Sequence, residues 1–481
     1  MKLYPQKLLA LLLAGLMTLS VVSCAKTDDP DETDPNATQA VTEEDTGYKP
    51  DIEQKNYNTE FNVIGVHSIM RWITAAEDSE GEAFEDTLHE RAIRLKEQLG
   101  VELVKISSTD GEYATEVLTN VQAGDPTYQM VAAHCHIGVA NLMSSGAMYD
   151  FSQLESVNLD APYWSLDFME GLTINDQYII GYNDFCLADA GCIVFNKDLL
   201  SEYNLKAPYD DVTNNTWTME KMRALASVVS KDNGDNVWDD RDVYGISGWG
   251  WTDLITLAVG AGMKMVDKDE DGEYIVAYEQ NSERTLDILT KIDELYQAEY
   301  GYFWSPGSAR ASSKLEFGKG QTLIFLGSTA DVTDLRGESL RFGILPCPKF
   351  DEQQEEYHSF SWNGVLMIPS VFANGDPTMV SDVTEMLAYY TAPVKTAFYE
   401  DLLGTKLAEA PEDAAMLDIV WNTQVTDVAM VTADINGMTN ILYMTPNLCI
   451  GGIETYSSYL KSNVKSANRA LENLFHPRVR G

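Results

Sequence analysis

Positive charge is scarce in this chain. Its 33 lysines and arginines face 75 aspartates and glutamates, a formal charge of −42 at pH 7. Such a surface repels nucleic acid, and no basic stripe offsets it. Cysteine is also sparse, 6 in 481 residues, scattered too widely for a disulfide framework. Apolar runs are short. The longest spans residues 8–22, too short and wrongly flanked for a membrane-spanning helix of about 20 residues. Familiar catalytic signatures are missing: there is no G-x-S-x-G elbow, no H-E-x-x-H and no phosphate-binding P-loop. No repeat of 20–50 residues occurs, and the α/β alternation described below argues against an adhesin of repeated all-β modules.

What is present starts at the N-terminus. Lys2 and Lys7 precede the apolar run, and Val21-Val22-Ser23 leads into Cys24. This is the layout of a bacterial lipoprotein signal, with residues 1–23 removed and lipid attached to Cys24. Loss of Lys2 and Lys7 takes the charge from −42 to −44. The mature protein is expected at the outer face of a cell membrane, lipid-anchored, in a cell without an outer membrane. Residues 24–60 are rich in Asp, Glu, Thr, Pro and Asn and read as a disordered acidic tether.

The folded part is expected from Phe61. Residues 63–66, 101–106 and 129–133 read as strands. Between them Phe84, Leu88, Ala92, Leu95 and Leu99 mark one helical face, and a second helix falls over 115–122. Gly100 stops the first helix. The grammar resumes with strands at 192–195, 244–247, 322–325, 342–345 and 365–368, and helices at 219–229 and 286–296. Tyr456, Leu460, Val464, Ala467 and Leu471 form a last helical stripe. Such alternation predicts an α/β fold with mostly parallel sheets, and the length predicts two domains. Of the five remaining cysteines, Cys186 and Cys192 could pair in an oxidising exterior. Cys135, Cys347 and Cys449 read as small buried hydrophobes.

Several segments resemble one family in order. Phe195-Asn196-Lys197-Asp198-Leu199-Leu200 resembles the YNKDLL signature of extracellular solute-binding proteins of ABC importers (family 1), especially the sugar binders that include maltose-binding protein. Residues 142–154, Thr216-Trp217-Thr218, the step from Phe317 to Thr322 and the segment from Asn363 to Pro369 fit the same pattern. The resemblance covers about residues 61–475. It implies a two-lobed fold with a ligand cleft between lobes and hinges near 185–191 and 359–363. The lobes would be 61–188 with a return segment at 361–408, and 189–360 with 409–481. It also implies closure around a carbohydrate, handed to a membrane permease by a monomeric protein that is not an enzyme.

In open α/β sheets ligands sit beyond the carboxyl ends of strands. There the sequence offers His67, Arg71, Trp72, His134, His136, Tyr182, Asp184, Trp249, Trp251, Thr329, Trp362 and Asn363. Aromatic rings can cover the C–H face of a sugar while polar groups reach its hydroxyls. Trp217, Trp238 and Trp421 are expected to pack in cores. His134 and His136 flank Cys135, but no acid or third histidine in sequence completes a metal site. No cofactor is expected, save a structural calcium in the loop of Asn233, Asp235, Asp239 and Asp242. That loop starts on Lys231 and lacks the sixth-position Gly of a calcium loop. Asp271-Gly272 reads as a hairpin tip. The competing functions are a surface glycoside hydrolase, which needs two carboxylates across a cleft, and a binder of a non-sugar polar solute.

Overall fold

The computed structural model describes residues 48–75, 83–183, 189–239, 241–248, 251–298, 300–303, 314, 316–362, 364–404, 410–435, 437–439, 441 and 453–476. The leader, Cys24, Cys186 and Cys449 lie outside these. No helix among the described residues is long and apolar enough to cross a membrane.

Two mixed sheets organise the chain. The first has the order β2-β1-β3-β13-β4. Its strands are β1 (Thr59–Val66), β2 (Val101–Ser108), β3 (Met130–His134), β4 (Met148–Tyr149) and β13 (Gly364–Pro369). β1 runs parallel to both β2 and β3. Helix Ala83–Leu99 connects β1 to β2, ending on Gly100 at φ +65. Its buried face is Thr87, Leu88, Arg91, Leu95 and Leu99. Arg91 breaks the apolar pattern yet is buried, because its guanidinium donates to the carbonyls of Trp72 and Ile73 and to Thr391 Oγ1. These hydrogen bonds from the two terminal nitrogens of a buried cation fix where this helix meets the chain after β1.

The second sheet has the order β14-β12-β5-β10-β6-β9, with β11 also on β5. These strands are β5 (Asp189–Asn196), β6 (Tyr244–Gly248), β9 (Gly301–Phe303), β10 (Thr322–Ser328), β11 (Phe342–Leu345), β12 (Ser359–Trp362) and β14 (Gln424–Val425). The expectation of mostly parallel pairing fails at β5, which is antiparallel to β10, β11 and β12, and at β13, which is antiparallel to β3 and β4. Antiparallel neighbours need no helical crossover, so the rule for parallel strands does not govern them. A separate hairpin joins β7 (Val266–Lys268) to β8 (Tyr274–Val276). Gly272 sits in its turn at φ +86, and Asp269 Oδ1 accepts from the amides of Asp271 and Glu273.

The signature at 195–200 is structural. Phe195, Leu199 and Leu200 are buried. Asn196 caps the following helix by accepting from the amides of Asp198 and Leu199. Lys197 pairs with the buried carboxylate of Asp413, which also accepts from Tyr209 Oη at 2.6 Å. Asp198 binds Arg341 at 2.7 Å. The motif thereby ties β5 to helix Pro411–Asn422 from the C-terminal part of the chain. At the end of the chain all five residues of the predicted stripe are buried on helix Ile453–Phe475.

The tether expected over residues 24–60 cannot include the stretch from Tyr48, where the chain is packed. Tyr48, Ile52 and Tyr57 lie against the core. The amides of Lys55 and Tyr57 donate to the carbonyls of Gln98 and Leu99. Lys55 Nζ and Tyr57 Oη both reach Asp382 Oδ2 at 2.6 Å, and Ser156 Oγ reaches Oδ1 at 2.5 Å. One turn on, Glu385 accepts from Tyr163 Oη, Trp164 Nε1 and the amide of Asn158. Few apolar residues mark residues 48–57, since buried acids on helix Thr378–Tyr389 hold them in place.

Asp427 is a half-buried acid. It accepts from the amides of Met265, Val266 and Ala429. Burial outweighs these bonds and pushes its pKa up to about 6. The native state therefore holds this proton to higher pH than the unfolded chain, whose aspartate titrates near ~4. Stability from this group falls as pH rises from about 4 to 6 and is level above that. Asp427→Asn should flatten this slope, seen as a melting temperature that changes less between about pH 4 and 6 than the parent's. Asp413→Ala should cost about 3–5 kcal/mol in denaturant unfolding, because it strands Lys197 and Tyr209.

Candidate functional site

Strand register brings the ends of the two sheets together. At its end, β12 pairs Trp362 with Asp189, the first residue of β5. One residue later β13 begins, and Gly364 pairs with His134, the last residue of β3. Trp362 of the second sheet and Gly364 of the first thus stand two positions apart in sequence. The carboxyl ends of β1 and β3 therefore meet those of β6, β10 and β12 along this crossing. Gly181 exchanges both backbone hydrogen bonds with Leu366 of β13.

Asp189 fastens the second sheet at this line. Its carboxylate accepts from Ser328 Oγ at 3.0 Å, Thr329 Oγ1 at 3.1 Å and the amide of Ala330 at 2.9 Å. Thr329 Oγ1 in turn accepts from the amide of Ala190 at 3.1 Å. Asp331 completes a capping box with Ser328. Thr329 is fully buried. Its hydroxyl thus joins β5 to the helix after β10, a fastening role in place of the expected contact with a solute.

The other expected site residues fall into three groups. Trp72 belongs to the core: its ring packs between Phe84 and Phe398 at centroid distances of 5.5 and 5.1 Å, with the Arg71 guanidinium 4.2 Å over it. A sugar face cannot reach a ring covered in this way. Arg71 itself is exposed. Tyr182 is half-buried with its ring on Phe168 at 4.4 Å. Three residues hold backbone positions at the strand ends: His67 directly follows β1, Trp251 opens helix Trp251–Gly260, and Trp362 ends β12. Asp184, Trp249 and Asn363 lie outside the described residues.

His134 and His136 come together. Their rings are edge to face with centroids 4.3 Å apart, and both are half-buried. Burial holds the His134 pKa down to about 4, and burial plus the neighbouring His134 holds His136 well below its ordinary value. Both imidazoles are neutral near pH 7. Sequence reasoning missed Ser247, whose hydroxyl is buried near the end of β6 without a hydrogen-bond partner. Its only signal was a polar residue inside a buried strand end.

The acidic loop at 231–242 satisfies itself. Arg241 binds Asp239 through Nε and Nη2 and reaches Asp235 at 2.9 Å. Asp242 is buried and accepts from the amides of Asn233 and Asp239. The side-chain oxygen of Asn233 accepts from the amide of Asp235. The Arg241 guanidinium thus places a positive charge among these carboxylates. Trp217 is buried, with Nε1 on the Pro346 carbonyl, and Trp421 packs against Phe398 and Tyr399. Trp238 departs from its expected core place and is 37% exposed.

Two such sheets with opposed strand ends and a crossing between them define a two-lobed solute-binding fold. A family model described as bacterial extracellular solute-binding protein matches residues 90–393. The chain belongs to this family. No curated protein sequence matches it. Among solved structures, an ABC substrate-binding protein from Listeria monocytogenes in complex with cycloalternan is similar at TM-score 0.56 and 12% identity, covering 86% of this chain and 98% of that one. An ABC transporter solute-binding protein from Thermotoga lettingae bound with α-D-tagatose gives 0.56 and 14%, covering 87% and 100%. UgpB from Mycobacterium tuberculosis, in complex with glycerophosphocholine, gives 0.57 and 13%, covering 86% and 98%.

Thr329→Val should lower stability by about 1–3 kcal/mol, because it leaves Asp189 and the Ala190 amide short of a partner. Denaturant unfolding of the variant beside the parent measures this.

Proposed function

We propose that this protein captures a mono- or oligosaccharide between its lobes and releases it unchanged to an ABC importer permease. The observation that carries the reading is the register across the 362–364 crossing, which sets strand ends of both sheets against one another. Family membership supplies solute capture outside the cytoplasm. The carbohydrate reading rests on the sequence positions of Trp249 and Trp362, the rings expected to cover a sugar face. His136, Tyr182 and Ser247 are the hydrogen-bonding groups at the same ends. The binding proteins for cycloalternan and tagatose share the fold. A hydrolase needs carboxylates held ready across the cleft, whereas the Asp189 carboxylate at these strand ends already accepts from three donors.

We read the protein as a monomer, joined to the membrane by lipid on Cys24 and spaced from it by residues 25–47. A second reading, capture of a polar phosphodiester, draws on the fold shared with the glycerophosphocholine complex.

Calorimetry against a panel of sugars and glycerophosphodiesters tests both. One sugar class should bind reversibly with no product formed, and Trp249→Ala and Trp362→Ala should each weaken it by about tenfold or more. Product release from a glycoside overturns the binder, and phosphodiester binding without sugar binding selects the second reading. For the anchor, Cys24→Ala should abolish fatty-acid labelling and release the protein from the membrane fraction.

A further inference from the structure

The turn that ends β3 places three metal-ligating side chains in one spot. His134, Cys135 and His136 are consecutive, so an extended strand would point Cys135 away from its neighbours. The strand ends at His134, and the Ile137 amide donates back to the His134 carbonyl. This bend folds the three side chains together. One ligand atom from each lies within 4.8 Å of the other two. Cys135 Sγ is 3.8 Å from His134 Nδ1. Two ligands on a tetrahedral zinc, with bonds of about 2.3 and 2.0 Å, stand roughly 3.5 Å apart. The side chains are thus within a small rotation of ligation geometry.

The surroundings hold the turn in place. Tyr113 Oη donates to the Ile137 carbonyl. Gly138 follows at φ +73, where a Cβ would meet the Tyr113 hydroxyl at 2.7 Å. The Asp434 carboxylate accepts from the amides of Gly138 and Val139. The chain's net charge of −42 concentrates cations around it.

We propose that His134, Cys135 and His136 form a site for a borderline-soft divalent cation of the zinc class, open at its fourth position. The ligand set is two nitrogens and one sulfur, the choice of zinc and its neighbours over magnesium or calcium. On binding, the Cys135 thiol gives its proton to solvent and the thiolate forms the metal–sulfur bond, while both imidazoles bind as they stand. Three protein ligands leave the fourth place to water or another exchangeable oxygen. Since β3 ends beside the 362–364 crossing, the cation sits where the two sheets meet.

The test is titration of the reduced full chain with Co²⁺ and Zn²⁺. One equivalent of Co²⁺ should give a thiolate-to-cobalt charge-transfer band, and Zn²⁺ should displace it. Cys135→Ser should abolish the band, and His136→Gln should weaken metal affinity by about 10–100-fold. Circular dichroism of the metal-free variants checks folding. Should C135S fail to fold, H136Q carries the decision through its affinity. Absence of the band in the reduced parent, its survival in C135S, or unchanged affinity in H136Q overturns the site. Sugar binding by the metal-free parent is measured separately, so loss of the metal site leaves the solute reading untouched.

Discussion

The carboxylate of Asp189 is the constraint on which the second lobe depends. It stands where the chain arrives from the first sheet and takes hydrogen bonds from three successive residues, Ser328, Thr329 and Ala330. These bonds fix the start of β5 against the end of β10. Once that start is fixed, β5 has one register with β10, β11 and β12, since a slip of one residue would turn every side chain to the wrong face. The crossing from β12 to β13 then has its place as well. An anionic group at the sheet boundary thus works as a fastening, with its charge dispersed over hydroxyl and amide donors.

The same device recurs through a strongly acidic chain. Asp382, Glu385, Asp413 and Asp427 are all withdrawn from water or nearly so, and each is met by two or more donors. A carboxylate buried in this way has few alternative partners, so it selects one arrangement of the segments around it. The acids at the surface keep the protein soluble through repulsion, while those inside hold its parts together. Acidity in the composition therefore has two opposite structural uses here.

Periodic segments were readable in advance because one-sided burial writes itself into spacing. The stripe from Tyr456 to Leu471 and the helix at 219–229 are examples. The antiparallel course of β5 was not readable, because strand direction depends on where the chain comes from and leaves no mark in local composition. Nor was the packing of residues 48–57, whose partners on the 378–389 helix lie more than 300 positions away. At the site, position after a strand was a fair guide to place but not to exposure. Trp72 and Thr329 follow strands as expected, yet neighbours close over both. His134, Cys135 and His136 looked like two groups on one face with a third opposed, until the turn at Ile137 brought them round.

The packed segment at 48–57 has a mechanical consequence. It is bonded to the carbonyls of Gln98 and Leu99 and to Asp382, all in the part of the chain built on the first sheet. Any pull on the chain from its N-terminal side is therefore delivered first to that lobe. In a hinge-bending protein of this family, the first lobe would be the stationary jaw and the second the one that swings.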